Sequence, residues 1–406
     1  MKLAAALLAL SLFAPAAAAA PKTPSKLRVA AKSETKVLVT WRNRSPMARP
    51  QVAWRRLDAA KKSPKKVRRP RGSKRFVHSG LEPGSRYRYR VRACRRGRCS
   101  KWSKPRRGGP RGAGAPGPAV PPPSPGGGAT IGSCPVFPPD NPWNRDISGE
   151  PVDPRSSAYI TSIGSGLELH PDFGSNPGYG LPYIVVPASQ PKLPVAFSEP
   201  GESDPGPYPI PANAPVEAGS DRHVLAVQEG TCRLYELYAA SFGSGTWSAY
   251  SGAVFDLRSN ALRPDGWTSA DAAGLPILPG LVRYDEVQAG AIRHALRFTV
   301  GETQRAYVHP ATHFASDATN PNLPPMGLRL RLKGPFPIGG YSREVQVILT
   351  ALKRYGMFVA DNATSWYITG ASDSRWNDDA LEDLKTIPGS AFEVVRSGPL
   401  HGAAAP

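Results

Sequence analysis

Residues 81–93 have the sequence LEPGSRYRYRVRA. Pro83 and Gly84 are typical of a tight turn, because proline presets one backbone angle and glycine tolerates unusual ones. From Tyr87 to Ala93, apolar side chains then alternate with arginines. A period of two is typical of a β-strand with one buried face. The stretch therefore predicts a turn that leads into a strand.

Short strand candidates separated by turn residues continue on both sides of this stretch, between about residues 24 and 105. They carry Pro24 and Leu27 at the start and Trp41 on the second strand, and Tyr87 stands where a tyrosine corner would hydrogen-bond back to the turn. The segment resembles a fibronectin type III domain. The resemblance implies a seven-stranded sandwich that is used for spacing or binding, without catalysis. We assign residues 21–107 to this module.

The module departs from that family in its charge. Residues 21–112 contain 31 lysines and arginines against three acidic residues, a net charge of +28. The whole chain carries +21, so with Lys2 counted the remainder carries −8. Alternation along the strand places four arginines on its exposed face: Arg86, Arg88, Arg90 and Arg92. A neighbouring loop adds seven more basic residues: Lys61, Lys62, Lys65, Lys66, Arg68, Arg69 and Arg71.

Because nearly all charges of this patch are positive, it favours electrostatic binding to an anionic polymer or surface. In an exported protein the candidates are anionic cell-wall or surface glycans, lipopolysaccharide, extracellular DNA and acidic polysaccharide. No stacking platform or groove-binding helix accompanies the charge, which disfavours nucleic acid. A solvated surface and docking on the acidic remainder of the chain are the alternatives.

Residues 1–20 have the layout of a secretory signal peptide. Lys2 precedes an apolar stretch from Leu3 to Phe13, and small residues that end at Ala20 follow. We expect cleavage near 18–20 and a secreted, extracellular or periplasmic protein with no transmembrane segment afterwards. An uncleaved anchor is the alternative, which the alanine content and Pro15 disfavour.

Four cysteines in an exported chain predict two disulfides rather than a metal site or thiol chemistry. Cys94 and Cys99 flank a short hairpin tip and can close it. By elimination, Cys134 pairs with Cys232 inside the second domain.

Residues 108–130 lack the apolar side chains needed for a core and predict a Pro/Gly-rich linker. Residues 131–396 predict a larger, mostly β domain, a β-sandwich or jelly-roll-like fold, and residues 397–406 a tail. Strand candidates in this domain are 181–186, 223–227, 234–239, 253–257, 292–300, 306–308 and 328–332. Helical spacing predicts two short helices, over 345–355 and about 378–385. The chain is therefore expected to be mainly β.

A hairpin around Glu229 and Gly230 supplies the most specific candidate for chemistry. If these two residues form the turn, His223 faces Glu236 and Asp221 faces Tyr238. A carboxylate in such a place has a raised pKa and acts as an acid or base. We therefore predict Glu236 and His223 as catalytic. A hydrogen-bonded structural pair is the alternative.

Asp256 is the predicted second acid, because Val254, Asp256 and Arg258 share one strand face. We predict substrate contacts from Asp221 and Tyr238 and from two loops that mix charge with aromatic rings, as sugar sites do. The loop residues are His170, Asp172, Arg375 and Trp376. Capping of turns is the alternative for these loops.

His309 and His313 are four residues apart, but Pro310 and the lack of a nearby glutamate argue against a zinc helix. We therefore predict no metal site and no cofactor, and leave the role of these two histidines open. The sequence also lacks a GxSxG elbow, a P-loop and a dinucleotide fingerprint.

Together these patterns predict a secreted, monomeric, carbohydrate-directed hydrolase or lyase, which acts on extracellular or cell-wall polysaccharide. The basic module would hold it on an anionic surface. The alternative is a non-catalytic protein of adhesion or matrix binding.

Overall fold

The computed structural model of the chain describes residues 20–32, 36–45, 48–57, 66–68, 74–82, 85–95, 98–110 and 128–402. The chain divides into two compact units, Met1–Gly117 and Pro118–Pro406. Nearly all of the predicted signal peptide, most of the predicted linker and most of the basic loop lie outside the described residues. Those three assignments stay predictions.

The first unit consists of short strands in two sheets. The strands are β1 (Ser25–Ala31), β2 (Val37–Arg42), β3 (Arg49–Arg56), β4 (Lys66–Arg68), β5 (Arg75–His78), β6 (Tyr87–Arg95), β7 (Arg98–Cys99) and β8 (Arg106–Gly108). One sheet has the order β1-β2-β5, and the other has the order β4-β3-β6-β7, with β8 also paired to β6.

Strand β6 confirms the alternation read from the sequence. Its apolar residues from Tyr87 to Ala93 are buried, and the arginines between them are half-buried or exposed. The buried face packs with Val39 and Trp41 of the opposite sheet into one hydrophobic cluster. The tyrosine corner stays a prediction, because Pro83 and Gly84 of its turn lie outside the described residues. On the same strand, the hydroxyl of Tyr89 lies 2.9 Å from His78 Nδ1.

The second unit contains more sheets and a few short helices. Its strands are β9 (Thr130–Ile131), β10 (Cys134–Pro135), β11 (His170–Asp172), β12 (Tyr183–Val186), β13 (Val195–Phe197), β14 (Val224–Gln228), β15 (Arg233–Tyr238), β16 (Ser241–Gly243), β17 (Thr246–Ala249), β18 (Ser251–Asp256), β19 (Leu296–Val300), β20 (Arg329–Leu332), β21 (Met357–Asn362), β22 (Tyr367–Thr369) and β23 (Phe392–Val394). Its α-helices are α1 (Ser156–Ile163), α2 (Tyr284–Ala289), α3 (Arg343–Arg354) and α4 (Asp378–Leu381).

Two sheets of the second unit position its candidate site. A six-stranded sheet has the order β11-β22-β19-β21-β20-β23, and a four-stranded sheet has the order β12-β14-β15-β18. Both mix parallel and antiparallel pairs, since β19 runs parallel to β21 and β12 runs parallel to β14. Leu225 and Leu234 of the smaller sheet and Phe298 of the larger one belong to the same hydrophobic cluster.

The mainly β class is confirmed, and both predicted helices are present. Helix α3 buries Val345, Ile348 and Leu352, and its N-cap Ser342 accepts a hydrogen bond from the Val345 N–H. Gly356 follows it with a φ of 68°, where an added Cβ would lie 2.1 Å from the Leu330 carbonyl. Helices α1 and α2 were not predicted, and 306–308 forms isolated bridges rather than a strand.

Both predicted disulfides are confirmed: Cys94 bonds to Cys99, and Cys134 bonds to Cys232. The second bridge spans 98 positions of the chain, and both of its cysteines are buried. Of the helices that the structure describes, none is both long and apolar enough to cross a lipid bilayer.

The double variant Cys134→Ser/Cys232→Ser should lower the free energy of unfolding of the second unit by about 4–5 kcal/mol, because opening a loop of this length restores chain entropy to the unfolded state. Calorimetry of the full chain measures this transition. The matched control, Cys94→Ser/Cys99→Ser, opens a loop in the first unit and should leave that transition in place. Equal losses in both variants would contradict the prediction.

Candidate functional site

A cleft of about 490 Å³ opens in the second unit. Five of its described lining residues are acidic, two are histidines, and none is a lysine or arginine. The polar and aromatic members are Glu199, Glu202, Asp221, His223, Tyr238, Tyr250, Ser251, Thr268, Ser269, Asp271, His313, Asp361 and Asn362. The cleft therefore presents an acidic surface, with aromatic rings at one side.

The end of β15 and the segment just before β14 bring three of the predicted residues to this cleft, Asp221, His223 and Tyr238. The predicted register of their hairpin was wrong. Leu225, and not His223, lies opposite Glu236, because Gln228 pairs with Arg233 and leaves four residues in the connection. A four-residue connection shifts the pairing by two positions, so each side chain keeps its predicted face.

His223 is held on the cleft wall by both ring nitrogens. Nδ1 lies 2.6 Å from Glu217 Oε2, and Nε2 lies 3.0 Å from the carbonyl of Ala270. Both partners are acceptors, so the imidazole satisfies both only when both nitrogens carry protons. Against the lowering effect of burial, the hydrogen bond that His223 donates to Glu217 and the charge of Glu217 raise the pKa of His223. Both ring nitrogens of His223 are therefore occupied by acceptors, so neither is free to take a proton from a ligand.

Glu236 does not line the cleft. Its side chain is fully buried, and its carboxylate accepts hydrogen bonds from the backbone N–H groups of Ile277 and Leu278 at 2.9–3.0 Å. Burial raises its pKa to about 7, although these two bonds act in the opposite direction. Glu236, predicted as catalytic, therefore has no access to the cleft, because β15 is covered on this face by the segment around Ile277.

Because the folded state holds the Glu236 proton more tightly than the unfolded state, stability is complete below the usual pKa of 4.5 and is lost as pH rises towards about 7. Glu236→Gln removes this loss. Its stability relative to wild type should therefore rise by about 3 kcal/mol across that range. Urea unfolding at pH 4.5 and pH 7.5 measures the effect. Glu302→Gln, at an exposed position, is the control, and equal pH dependence in all three proteins would exclude the assignment.

Asp271 joins the cleft to the core. Its Oδ1 lies 2.5 Å from Arg297 Nη2, and both residues are buried. Its Oδ2 is also buried and has no hydrogen-bond partner among the described residues. Burial raises the pKa of Asp271 to about 7, against the lowering effect of Arg297. Asp271 is thus a carboxyl group on the cleft wall that gains and loses its proton near neutral pH.

Asp361 and Asn362, at the end of β21, add polar groups to the same cleft. Burial raises the pKa of Asp361, and the N–H of Asn362 donates to its Oδ1 at 2.7 Å. The amide oxygen of Asn362 is the second buried acceptor of the cleft without a partner in the described part of the chain. Two lining residues therefore carry oxygens that no protein donor satisfies.

His313 also lines the cleft, and its tautomer follows from a single contact. Nδ1 donates to the carbonyl of Ala272 at 2.8 Å. In the neutral ring the lone pair is then on Nε2. Tyr238 and Tyr250 form an edge-on pair with centroids 5.8 Å apart, and Tyr250 is 46% exposed. The cleft thus combines a potential base with an aromatic surface.

The other predicted site residues do not line the cleft. Asp256 is at the end of β18, opposite Arg233, and borders a separate depression. His170 stacks on Tyr367, its neighbour on β22. Asp172 lies on the same short strand, β11, where burial raises its pKa.

The two other predicted loop residues, Arg375 and Trp376, also lie outside the cleft. Arg375 is paired with Asp373 at 2.5 Å and covers the ring of Tyr284. Trp376 is 4% exposed, and its ring nitrogen donates to the carbonyl of Ala371. Trp376 packs in the core and cannot stack on a ligand.

Sequence reasoning missed Asp271, Asp361, Asn362 and His313 as a group. Asp271 and His313 lie in irregular segments, where no helix or strand periodicity points to them. Arg297 was the available signal, because an arginine in the apolar run from Leu296 to Val300 requires a buried anion nearby.

The first unit carries a basic face on β3, β6 and β8. Arg55, Arg88 and Arg107 lie side by side across these three strands. Arg90 is exposed one step further along β6, and Arg92 lies over the ring of Trp102 at 4.6 Å. Among the described residues, no carboxylate pairs with Arg55, Arg88 or Arg90. Like charges directly opposite each other destabilise a sheet, so this row has a cost in stability.

A family model of the fibronectin type III domain matches residues 22–108. Residues 22–108 form a fibronectin type III domain. The third fibronectin III domain of the human protein KIAA0343 is 22% identical, with a TM-score of 0.21, and the match covers 24% of this chain and 87% of that one. The FN5 domain of Drosophila Lar is 19% identical, with a TM-score of 0.20, and the match covers 23% and 98%. No curated protein matches the chain.

The family match ends at residue 108 and therefore does not extend to the cleft. The fibronectin type III domain and the two disulfides are consistent with an extracellular protein.

Proposed function

We propose that the chain is a secreted polysaccharide hydrolase whose cleft acts on neutral or amine-bearing sugars, while the fibronectin type III domain holds it on an anionic surface. One observation carries the proposal. Two residues of the acidic cleft, Asp271 and Asn362, have buried acceptor oxygens without a donor among the described residues. A ligand rich in hydroxyl or ammonium groups supplies such donors.

The charge of the cleft favours hydrolysis over elimination. Lyases act on uronic acids, whose carboxylate needs a cation beside it. The described lining residues include no lysine or arginine, and five carboxyl groups would repel an anionic sugar. Neutral and cationic sugars carry no such penalty. Tyr250, with its exposed ring, adds a surface on which a sugar ring can stack.

Asp271 is the proposed general acid. Its raised pKa of about 7 keeps a protonated fraction at neutral pH, as protonation of a glycosidic oxygen requires. Arg297 fixes Oδ1, so Oδ2, which is buried and has no partner among the described residues, would transfer the proton once a ligand displaces the wall that covers it. Asp361 and His313, on the same cleft, are the candidates for activating water. His223, hydrogen-bonded to Glu217 and to the Ala270 carbonyl, holds the local geometry.

The variant Asp271→Asn keeps an oxygen for Arg297 but cannot transfer a proton. It should lower kcat about 100-fold or more on a neutral or amine-bearing polysaccharide, with a smaller change in KM. Release of reducing ends from purified glycans measures the reaction. Asp317→Asn, which changes an exposed carboxylate outside the cleft, is the matched control.

The pH profile separates an acid from a structural residue. Wild-type kcat should fall as pH rises through about 7, because Asp271 must be protonated. The residual activity of Asp271→Asn should not fall over this pH range. Equal profiles in both proteins would remove Asp271 as the acid. Binding of a glycan without turnover by either protein would favour the adhesion alternative.

The basic face supports binding of a polyanion, because its cross-strand arginines lack carboxylate partners among the described residues. The full chain should bind heparin, and Arg88→Gln/Arg90→Gln should elute at lower salt. Arg258→Gln/Arg396→Gln removes the same charge from exposed positions of the second unit and is the control. Equal shifts in both double variants would show that net charge, and not this face, sets the retention.

A further inference from the structure

Three ligand-type side chains converge at a place that the proposed cleft does not use. Asp265, His309 and His401 each offer one ligand atom, and these atoms all lie within 4.8 Å of one another. None of the three residues lines the cleft. We propose that they bind a divalent transition-metal ion of the zinc type.

Backbone contacts hold the three residues in place, although they are far apart in sequence. The segment of His401 is fixed by Tyr307, because each backbone N–H of this pair donates to the other carbonyl, at 3.0 and 2.9 Å. The segment that follows His309 is fixed to the one after Asp265, since the Gly266 N–H donates to the Thr312 carbonyl at 2.7 Å. The ligand set is thus formed before any ion arrives, which reduces the entropic cost of binding.

The donor set selects the metal. Two imidazoles with one carboxylate suit zinc, nickel and copper, whereas magnesium and calcium prefer oxygen ligands. Three protein ligands leave a fourth position for water, as in open zinc sites. The side chains of His309 and Asp265 are 41% and 53% exposed, so an ion and its water have access.

Tyr307 supports the three ligand residues. Tyr307 is a buried residue, and its ring stacks on that of His401 with centroids 5.4 Å apart. Such contacts outside the ligand set orient metal ligands. No free cysteine lies among the described residues, so thiols do not compete for the ion.

The competing explanation requires no metal. His309 Nε2 lies 2.8 Å from Asp265 Oδ1, and the rings of His309 and His401 stack at 4.2 Å. An ion pair with a stacked second ring explains these contacts if His401 has no role as a ligand. The two explanations therefore differ in what removal of His401 does to metal binding.

The test titrates the chelator-treated full chain with Co²⁺ and follows its visible absorption, which reports coordination number. One equivalent should bind with the intense bands of a four-coordinate ion, and Zn²⁺ should displace it. His309→Gln and His401→Gln should each weaken binding about 10-fold or more. His170→Gln, which removes a histidine outside the cluster, is the matched control. Zinc should also raise the melting temperature of wild type and of this control alone.

Two results would overturn the proposal: no binding by the wild type at a large excess of Co²⁺, or binding that both cluster variants retain. Melting temperatures measured in chelator show whether the variants are folded. If the histidine variants unfold, Asp265→Asn serves as the test instead. It changes one exposed oxygen ligand, so it should also weaken Co²⁺ binding. Glycan turnover is measured separately, so failure of the metal site leaves the cleft proposal untouched.

Discussion

The guanidinium of Arg297 lies inside the second unit, on the central strand β19, with Nη2 on Asp271 and Nη1 3.1 Å from Thr369 Oγ1. A buried cation without its anion costs several kcal/mol, so the fold requires Asp271 at this place. Its charge also acts on the pKa values of Glu217 and Asp361. One strand residue thereby determines both the packing of the core and the protonation of the cleft wall.

Carboxyl groups outnumber cations around this guanidinium. Glu236 and Asp271 both have a pKa of about 7, which burial raises most in each case. The charge of Asp271 raises the pKa of Glu236 further, and the charge of Asp361 raises that of Asp271. Groups coupled in this way titrate as a set, and the cluster retains protons at pH values where isolated carboxylic acids are ionised. The raised pKa values that make the core less stable at alkaline pH also keep a proton on a carboxyl group of the cleft, which can then act as an acid. Stability and the proposed chemistry thus share one cause.

The sequence predicted what depends on local rules. The alternation along β6, helix α3 and both disulfides follow from periodicity and from counting cysteines. The cleft depends on tertiary packing instead. Glu236 was predicted as catalytic from its expected pairing with His223 across a hairpin, but the segment at Ile277 covers it, and no local pattern reports such a cover. Asp271 and His313 come from irregular segments that meet only in the folded chain.

The four-residue connection between β14 and β15 limits how this unit can vary among related chains. Adding or removing two residues slides one strand along the other but leaves Tyr238 on the cleft side. Adding or removing one residue exchanges the two faces of the strand, so Glu236 and Tyr238 would meet the hydrophobic cluster of Leu237 and Trp247, and Glu236 would lose its backbone partners at Ile277 and Leu278. Tolerated length changes at this hairpin should therefore be even, and an odd change should be accompanied by a compensating bulge.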